Sequence, residues 1–113
     1  MLRKKYCLKK KKDFERVFKQ GKGFRQDFLF LKTLKNDLEN SRIGIVVSKK
    51  VSSKATERNL IKRRLREIIR KKLPEMNNNE DIIIITQKGI NKKTSFENIE
   101  QVVDKLLLKA KIR

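Results

Sequence analysis

Asn59, Arg63, Arg66 and Arg70 recur at spacings of three and four. On a helix that turns ~100° per residue they fall within about 60° of one another. Lys62 sits beside them. Ile61, Leu65, Ile68 and Ile69 occupy about a quarter-circle on the opposite side. A row of guanidinium groups with one amide among them suits phosphate binding. Each guanidinium offers paired N–H donors to phosphate oxygens, and the amide adds a directional hydrogen bond. The competing reading is a solvated charged face, but such a face usually mixes signs into i,i+4 pairs. Residues 42–72 carry twelve basic groups and two acidic ones, Glu57 and Glu67. Lys49, Lys50 and Arg58 extend the same cationic surface toward the loop before the helix.

A second set is aromatic. Phe14 and Phe18 fall on one side of a short helix, and Phe28, Phe30 and Lys32 alternate on one face of a strand. If these faces meet imperfectly, they form an aromatic groove with lysine nearby. Single-stranded RNA binds such grooves by stacking, at ~1–3 kcal/mol per base. The same phenylalanines would also serve as ordinary core, and the residues alone leave both readings open.

Other chemistry is excluded by composition. The chain has no histidine and one cysteine, Cys7. A Cys/His zinc site, a histidine general base and an intrachain disulfide are therefore ruled out. The four glycines are scattered, so there is no glycine-rich phosphate loop. Glu80 and Asp81 are adjacent, but they open a strand and lack the setting of an acid/base pair. No catalytic residue and no protein metal ligand is assigned. Any metal is expected to be Mg²⁺ held largely by nucleic-acid phosphates.

With 32 Lys and Arg against 13 Asp and Glu, the 113 residues carry a formal charge of +19. A compact body with this charge repels itself unless a polyanion neutralises it. An anionic membrane is the weaker candidate, because no aromatic residues flank the apolar stripe of the basic helix. No apolar run approaches the ~18 residues of a membrane span. The basic start lacks the apolar segment of a signal peptide, which points to the cytoplasm.

The elements that must position these groups follow from periodicity. Residues 1–12 form a basic arm, mobile at its start, in which Tyr6 and Leu8 can pack. A short helix follows, with Asp13 as N-cap and Gly21 as its stop. Residues 26–34 read as a strand, 36–40 as a polar turn, and 42–48 as a β-branched strand. The Arg-rich helix spans roughly 54–73, with Ser53 as cap and Pro74 ending it. Residues 75–80 form a loop. Residues 81–86 have unbroken isoleucines and read as a central strand covered on both faces. A last helix, about 95–111, opens on Thr94 and Glu97 in a capping-box arrangement. The order is αββαβα in a single domain spanning 1–113. The strand, helix, strand order of 42–86 suggests a parallel pair joined by the Arg-rich helix. The fold class is an α/β (α+β) two-layer sandwich of one small mixed sheet and helices.

The segment RIGIVVSKKVSSKATERNLIKRRLREIIR resembles the signature of the bacterial ribonuclease P protein family. In that family a strand R-x-G-x-x-V-x-K-K leads into a helix with R-N-x-x-K-R-x-x-R. Here the matching residues are Arg42, Gly44, Val47, Lys49 and Lys50, then Arg58, Asn59, Lys62, Arg63 and Arg66. The DF-x-x-VF-x-x-G helix, the aromatic strand and the D-(apolar)4 strand recur in order. The resemblance implies an αβββαβα-like order with a left-handed βαβ crossover, of the kind in the second domain of ribosomal protein S5. It implies that Lys49, Lys50, Arg58, Asn59, Lys62, Arg63, Arg66 and Arg70 bind a catalytic RNA. It implies that Phe14, Phe18, Phe28, Phe30 and Lys32 line a cleft for the 5′ leader of precursor tRNA, with one protein per RNA. The alternative class is a ribosomal or RNA-chaperone-like structural binder. Two positions depart from the family pattern. Leu60 stands where R-N-R would place arginine, and Cys7 stands where an arginine precedes the Leu-Lys pair; Lys5 or Lys9 would then take over that phosphate contact.

Overall fold

The computed structural model describes residues 3–76 and 79–112. Met1 and Leu2 of the basic arm, Asn77 and Asn78 of the expected loop, and Arg113 lie outside the described residues.

The elements run α1 (Lys11–Gln20), β1 (Lys22–Gln26), β2 (Leu29–Lys35), β3 (Arg42–Val47), α2 (Ala55–Lys72), β4 (Glu80–Thr86) and α3 (Phe96–Lys109). Short 3-10 turns cover Lys4–Tyr6 and Leu73–Glu75. The strands form one mixed sheet in the order β1-β2-β4-β3. β1 and β2, and β2 and β4, pair antiparallel; β3 and β4 pair parallel across the α2 connection. This is the αβββαβα order of the resemblance rather than the αββαβα order read from periodicity. Alternation fails to reveal β1 because KGFRQ has one apolar residue and the strand is an edge, where only Phe24 needs cover.

The strand expected at 26–34 is therefore two elements. Gln26 pairs with Leu29 across a tight turn at Asp27 and Phe28, and Asp27 takes a left-handed backbone (φ 51°). An aspartate tolerates this conformation better than most residues.

β4 lies at the centre, as unbroken isoleucines require. Ile82 and Ile84 point into a core shared with Leu29, Leu31 and Ile43 and covered by α2 and α3. Ile83 points to the other face, toward Leu8 and Val17. The α2 stripe of Ile61, Leu65, Ile68 and Ile69 is fully buried against the first face. Lys72 clamps the two helices through Asp104 at 2.7 Å. Arg64 reaches the carbonyl of Lys92 at 2.8 Å.

Three expected caps are displaced. Lys10, not Asp13, precedes α1; Asp13 lies in the first turn and pairs with Arg42. Ser53 does not cap α2: Ser52 Oγ instead accepts from the Lys54 amide and donates to Glu57. α3 is capped by Ser95, whose Oγ accepts from the Asn98 amide at 3.0 Å, while Thr94 accepts from the Asn91 amide. Only α3 keeps a side-chain cap; α1 and α2 begin at Lys10 and Lys54 without one, because Asp13 is drawn to Arg42 and Ser52 to Glu57.

Candidate nucleic-acid interface

The exposed face of α2 keeps its cations unpaired at its centre. Asn59, Arg63 and Arg66 are exposed, and Lys62 is half-buried beside them. Among the described residues, neither Arg63 nor Arg66 has a hydrogen-bond or ion-pair partner. Their N–H donors face solvent because the opposite stripe anchors the helix. Lys49 and Lys50 are exposed in the loop before α2.

Two of the expected contacts are otherwise engaged. Arg58 lies on the flank of the helix, and its Nη1 donates to the Ser52 carbonyl at 2.9 Å. It therefore braces the loop that presents Lys49 and Lys50. Arg70 is tied to Glu67 at 2.5 Å, which raises its pKa and lowers that of Glu67 through their hydrogen bond. Ser52 and Lys92 likewise hold the Glu57 carboxyl below its ordinary range.

The second surface lies on the sheet face away from α2. Residues paired across strands share a face, so Gly23, Lys32, Ile83 and Gly44 form one row across all four strands. α1 lies along this row, with Val17 buried against Ile83. On one flank of α1, Asp13 and Arg16 meet the sheet row of Arg42 and Asp81. On the other flank, Phe14 and Phe18 overlook the row of Phe30, Ile85 and Val46. No helix covers this row; its residues are half-buried, and Phe18 is 40% exposed. The result is a cleft with an aromatic wall and an apolar floor. Lys32 donates to the Phe18 carbonyl, placing an ammonium group between wall and floor.

Phe28 is not part of this cleft. It sits in the β1–β2 turn at 8% exposure, within the core beneath α2 and α3. Its carbonyl accepts from the Gln87 amide. Period two placed it with Phe30, but the chain reverses at Asp27 and Phe28, so the alternation does not continue through it. Ile85 and Val46 were missed as floor residues because an isoleucine or valine in a buried strand looks like core.

Two glycines seat the rings. A Cβ on Gly44 would lie 2.5 Å from the Phe14 ring, and one on Gly23 would lie 2.7 Å from the Phe30 ring. Both distances are far inside van der Waals contact. Gly44→Ala is therefore expected to force Phe14 off its seat and lower stability by about 1–3 kcal/mol. Urea denaturation would show this as a lower midpoint at unchanged slope.

The flank opposite the rings is an ion network. Asp81 is fully enclosed. It accepts from Arg42 Nε at 2.9 Å and Nη2 at 2.7 Å, from Arg16 Nη2 at 2.6 Å and from Asn36 Nδ2 at 2.8 Å. Burial pushes the Asp81 carboxyl up, but the hydrogen bonds from Arg42 and Asn36 and the charges of Arg42 and Arg16 outweigh it and hold it below its usual range. This network fixes α1 to the sheet and so sets the position of the aromatic wall.

Among the described residues no group of His, Cys, Asp and Glu could hold a metal ion, and no helix is long and apolar enough to cross a membrane.

Comparison with known proteins places these two surfaces in context. The Ribonuclease P family model matches residues 2–111. The ribonuclease P protein component of Syntrophomonas wolfei is 36% identical over 110 residues, covering 97% of this chain and 91% of that protein. That of Clostridioides difficile is 37% identical over 106 residues, covering 93% and 91%. The solved RNase P protein of Staphylococcus aureus superposes with a TM-score of 0.85 at 31% identity, covering 95% of this chain and 96% of that one. That of Thermotoga maritima gives 0.83 at 32% identity, covering 91% and 96%. Family model, relatives and fold agree over nearly the whole chain: it belongs to the ribonuclease P protein family.

Proposed function

We propose that this chain binds ribonuclease P RNA through Lys49, Lys50, Asn59, Lys62, Arg63 and Arg66, with Arg58 bracing the loop. Its cleft of Phe14, Phe18, Phe30 and Lys32 then receives the 5′ leader of precursor tRNA. As a member of this family it is a component of an endoribonuclease complex. In this reading the RNA carries the catalytic centre and most of the Mg²⁺, one protein serves one RNA, and the complex works in the cytoplasm. The protein gains substrate affinity by stacking leader bases and neutralising phosphates. The observation that carries the reading is the pairing of two distinct surfaces on one small domain. One is a row of unpartnered cations anchored by an aliphatic stripe. The other is an aromatic cleft whose partly exposed rings can stack single-stranded bases.

The test is reconstitution with a bacterial ribonuclease P RNA at low Mg²⁺. Intact protein should raise cleavage of precursor tRNA, and protein without RNA should cleave nothing. Phe14→Ala with Phe18→Ala should weaken affinity for leader-bearing precursor by about tenfold or more. Binding to the RNA subunit should change far less, because the α2 cations are held by their own aliphatic stripe of Ile61, Leu65, Ile68 and Ile69. Equal affinity for precursors with and without a leader would instead favour a structural RNA binder.

A further inference from the structure

A groove of about 450 Å³ lies at the outer edge of β3, between the N-terminal arm and α2. It belongs to neither surface described above but touches both, with Phe14 on one wall and Lys62 and Arg66 on the other. Its volume is within the ~300–1,000 Å³ usual for small-ligand sites.

Three features define what fits. The first is an open strand edge. β3 is terminal in the sheet, and the arm meets it at one isolated bridge, where the Leu8 amide donates to the Ile43 carbonyl at 2.9 Å. Ile43 thus turns its polar backbone groups outward, and by strand alternation Ile45 does the same. The Ile45 N–H and C=O accordingly form a donor and acceptor pair along the groove. The second feature is an apolar lining, with Phe14 on one side of the β3 edge and Ile45 on the other. The third is charge. Lys4, Lys9, Lys62 and Arg66 ring the opening, and no lining residue is acidic.

A planar group with donors and acceptors on its edge, linked to a phosphate, satisfies all three. We propose that this groove is a subsite for one unstacked RNA nucleotide. Its base lies against Phe14 and reads the Ile45 backbone, and its phosphate is held by Lys62 and Arg66. Cys7 is one of the lining residues, and its thiol donates to the Arg3 carbonyl at 3.4 Å. Lys9 lines the groove, while Lys5 is turned away over the Tyr6 ring. The proposal rests on the chain binding single-stranded RNA and not on which RNA is its partner.

Cys7 is the chain's one thiol, so its alkylation reports on this groove alone. The rate of iodoacetamide labelling would be measured on the full-length chain with dodecauridylate and with an abasic ribose-phosphate strand of equal length. Dodecauridylate should slow labelling about fivefold or more, and the abasic strand much less. Cys7→Trp, which plugs the groove, should weaken dodecauridylate binding by about tenfold, with circular dichroism checking that the fold is kept. Unprotected Cys7 at saturating oligonucleotide overturns the proposal, as does equal protection by the abasic strand. The labelling assay needs no variant and decides the matter if Cys7→Trp does not fold. Failure of ribonuclease P reconstitution with Cys7 still protected would sink the functional reading and leave this subsite standing. Successful reconstitution with Cys7 exposed would do the reverse.

Discussion

Replacing Asp81 with alanine should destabilise the fold by about 3–5 kcal/mol, the cost of removing one partner from a buried ion pair. The carboxylate is wholly enclosed and accepts four hydrogen bonds, from Arg42, Arg16 and Asn36. Without it, two guanidinium groups face each other across a site with little water. Asp13 gives Arg42 only a longer contact at 3.4 Å, too weak to compensate. Domains of this size are stable by only about 5–15 kcal/mol, so the loss is a large fraction of the total. Urea denaturation would measure it, and a loss under about 1 kcal/mol would show that the network contributes little. The pH dependence has a definite sign. The Asp81 carboxyl is held below its ordinary value in the folded chain. Its contribution is therefore complete above the unfolded carboxylate pKa of about 4. It is lost as pH falls through the lowered folded value. The stability gap between wild type and Asp81→Asn should thus be constant near neutrality and narrow only below pH about 4. A gap that narrows as pH rises from neutrality would contradict this assignment.

Replacing Arg63 and Arg66 together with alanine should leave the fold nearly untouched and weaken RNA binding by about 100-fold or more. Each charge-assisted hydrogen bond is worth roughly 1.5–3 kcal/mol, and two are lost. Both side chains are exposed, and neither has a partner among the described residues, so stability should change by no more than about 0.5 kcal/mol. The salt dependence is the sharper readout. Each neutralised phosphate contributes about 0.7–0.9 to the slope of log affinity against log salt, so the double variant should flatten it by about 1.4–1.8. An unchanged slope would remove these arginines from the interface. Arg58→Ala offers a contrast: it frees the Ser52 carbonyl and loosens the loop, so part of its effect should appear in stability. Arg70→Ala should cost less affinity, because part of its charge is already neutralised by Glu67.

The elements that carry these surfaces differ in how visible they are along the chain. α2 and α3 each bury one stripe, so their apolar residues repeat at helical spacing. β4 is buried on both faces, and five consecutive apolar or acidic positions in it are indeed enclosed. β1 buries little and has no repeat to read. The turn at Asp27 and Phe28 lacks glycine, so the two strands it joins look like one. Asp81 appeared only as the polar residue opening an apolar strand. Its partners lie 39, 45 and 65 positions away, and no local pattern signals pairing at that range.

What the sequence determined by itself was the chemistry on offer: a charge of +19 that calls for a polyanion, a cationic helix face opposite an aliphatic stripe, and neither histidine nor a second cysteine. Helical periodicity is local, so it places Asn59, Arg63 and Arg66 together without knowledge of the rest of the fold. Only the tertiary structure decided which aromatic residues share a cleft. That depends on strand register: one row across four strands brings Gly44 under Phe14 and Gly23 under Phe30, while the chain reversal sends Phe28 into the core. It also decided which arginines are free to bind. Arg58 and Arg70 match Arg63 and Arg66 in type, but the Ser52 carbonyl and Glu67 already engage them. A guanidinium committed to a neighbour has fewer donors left for a phosphate.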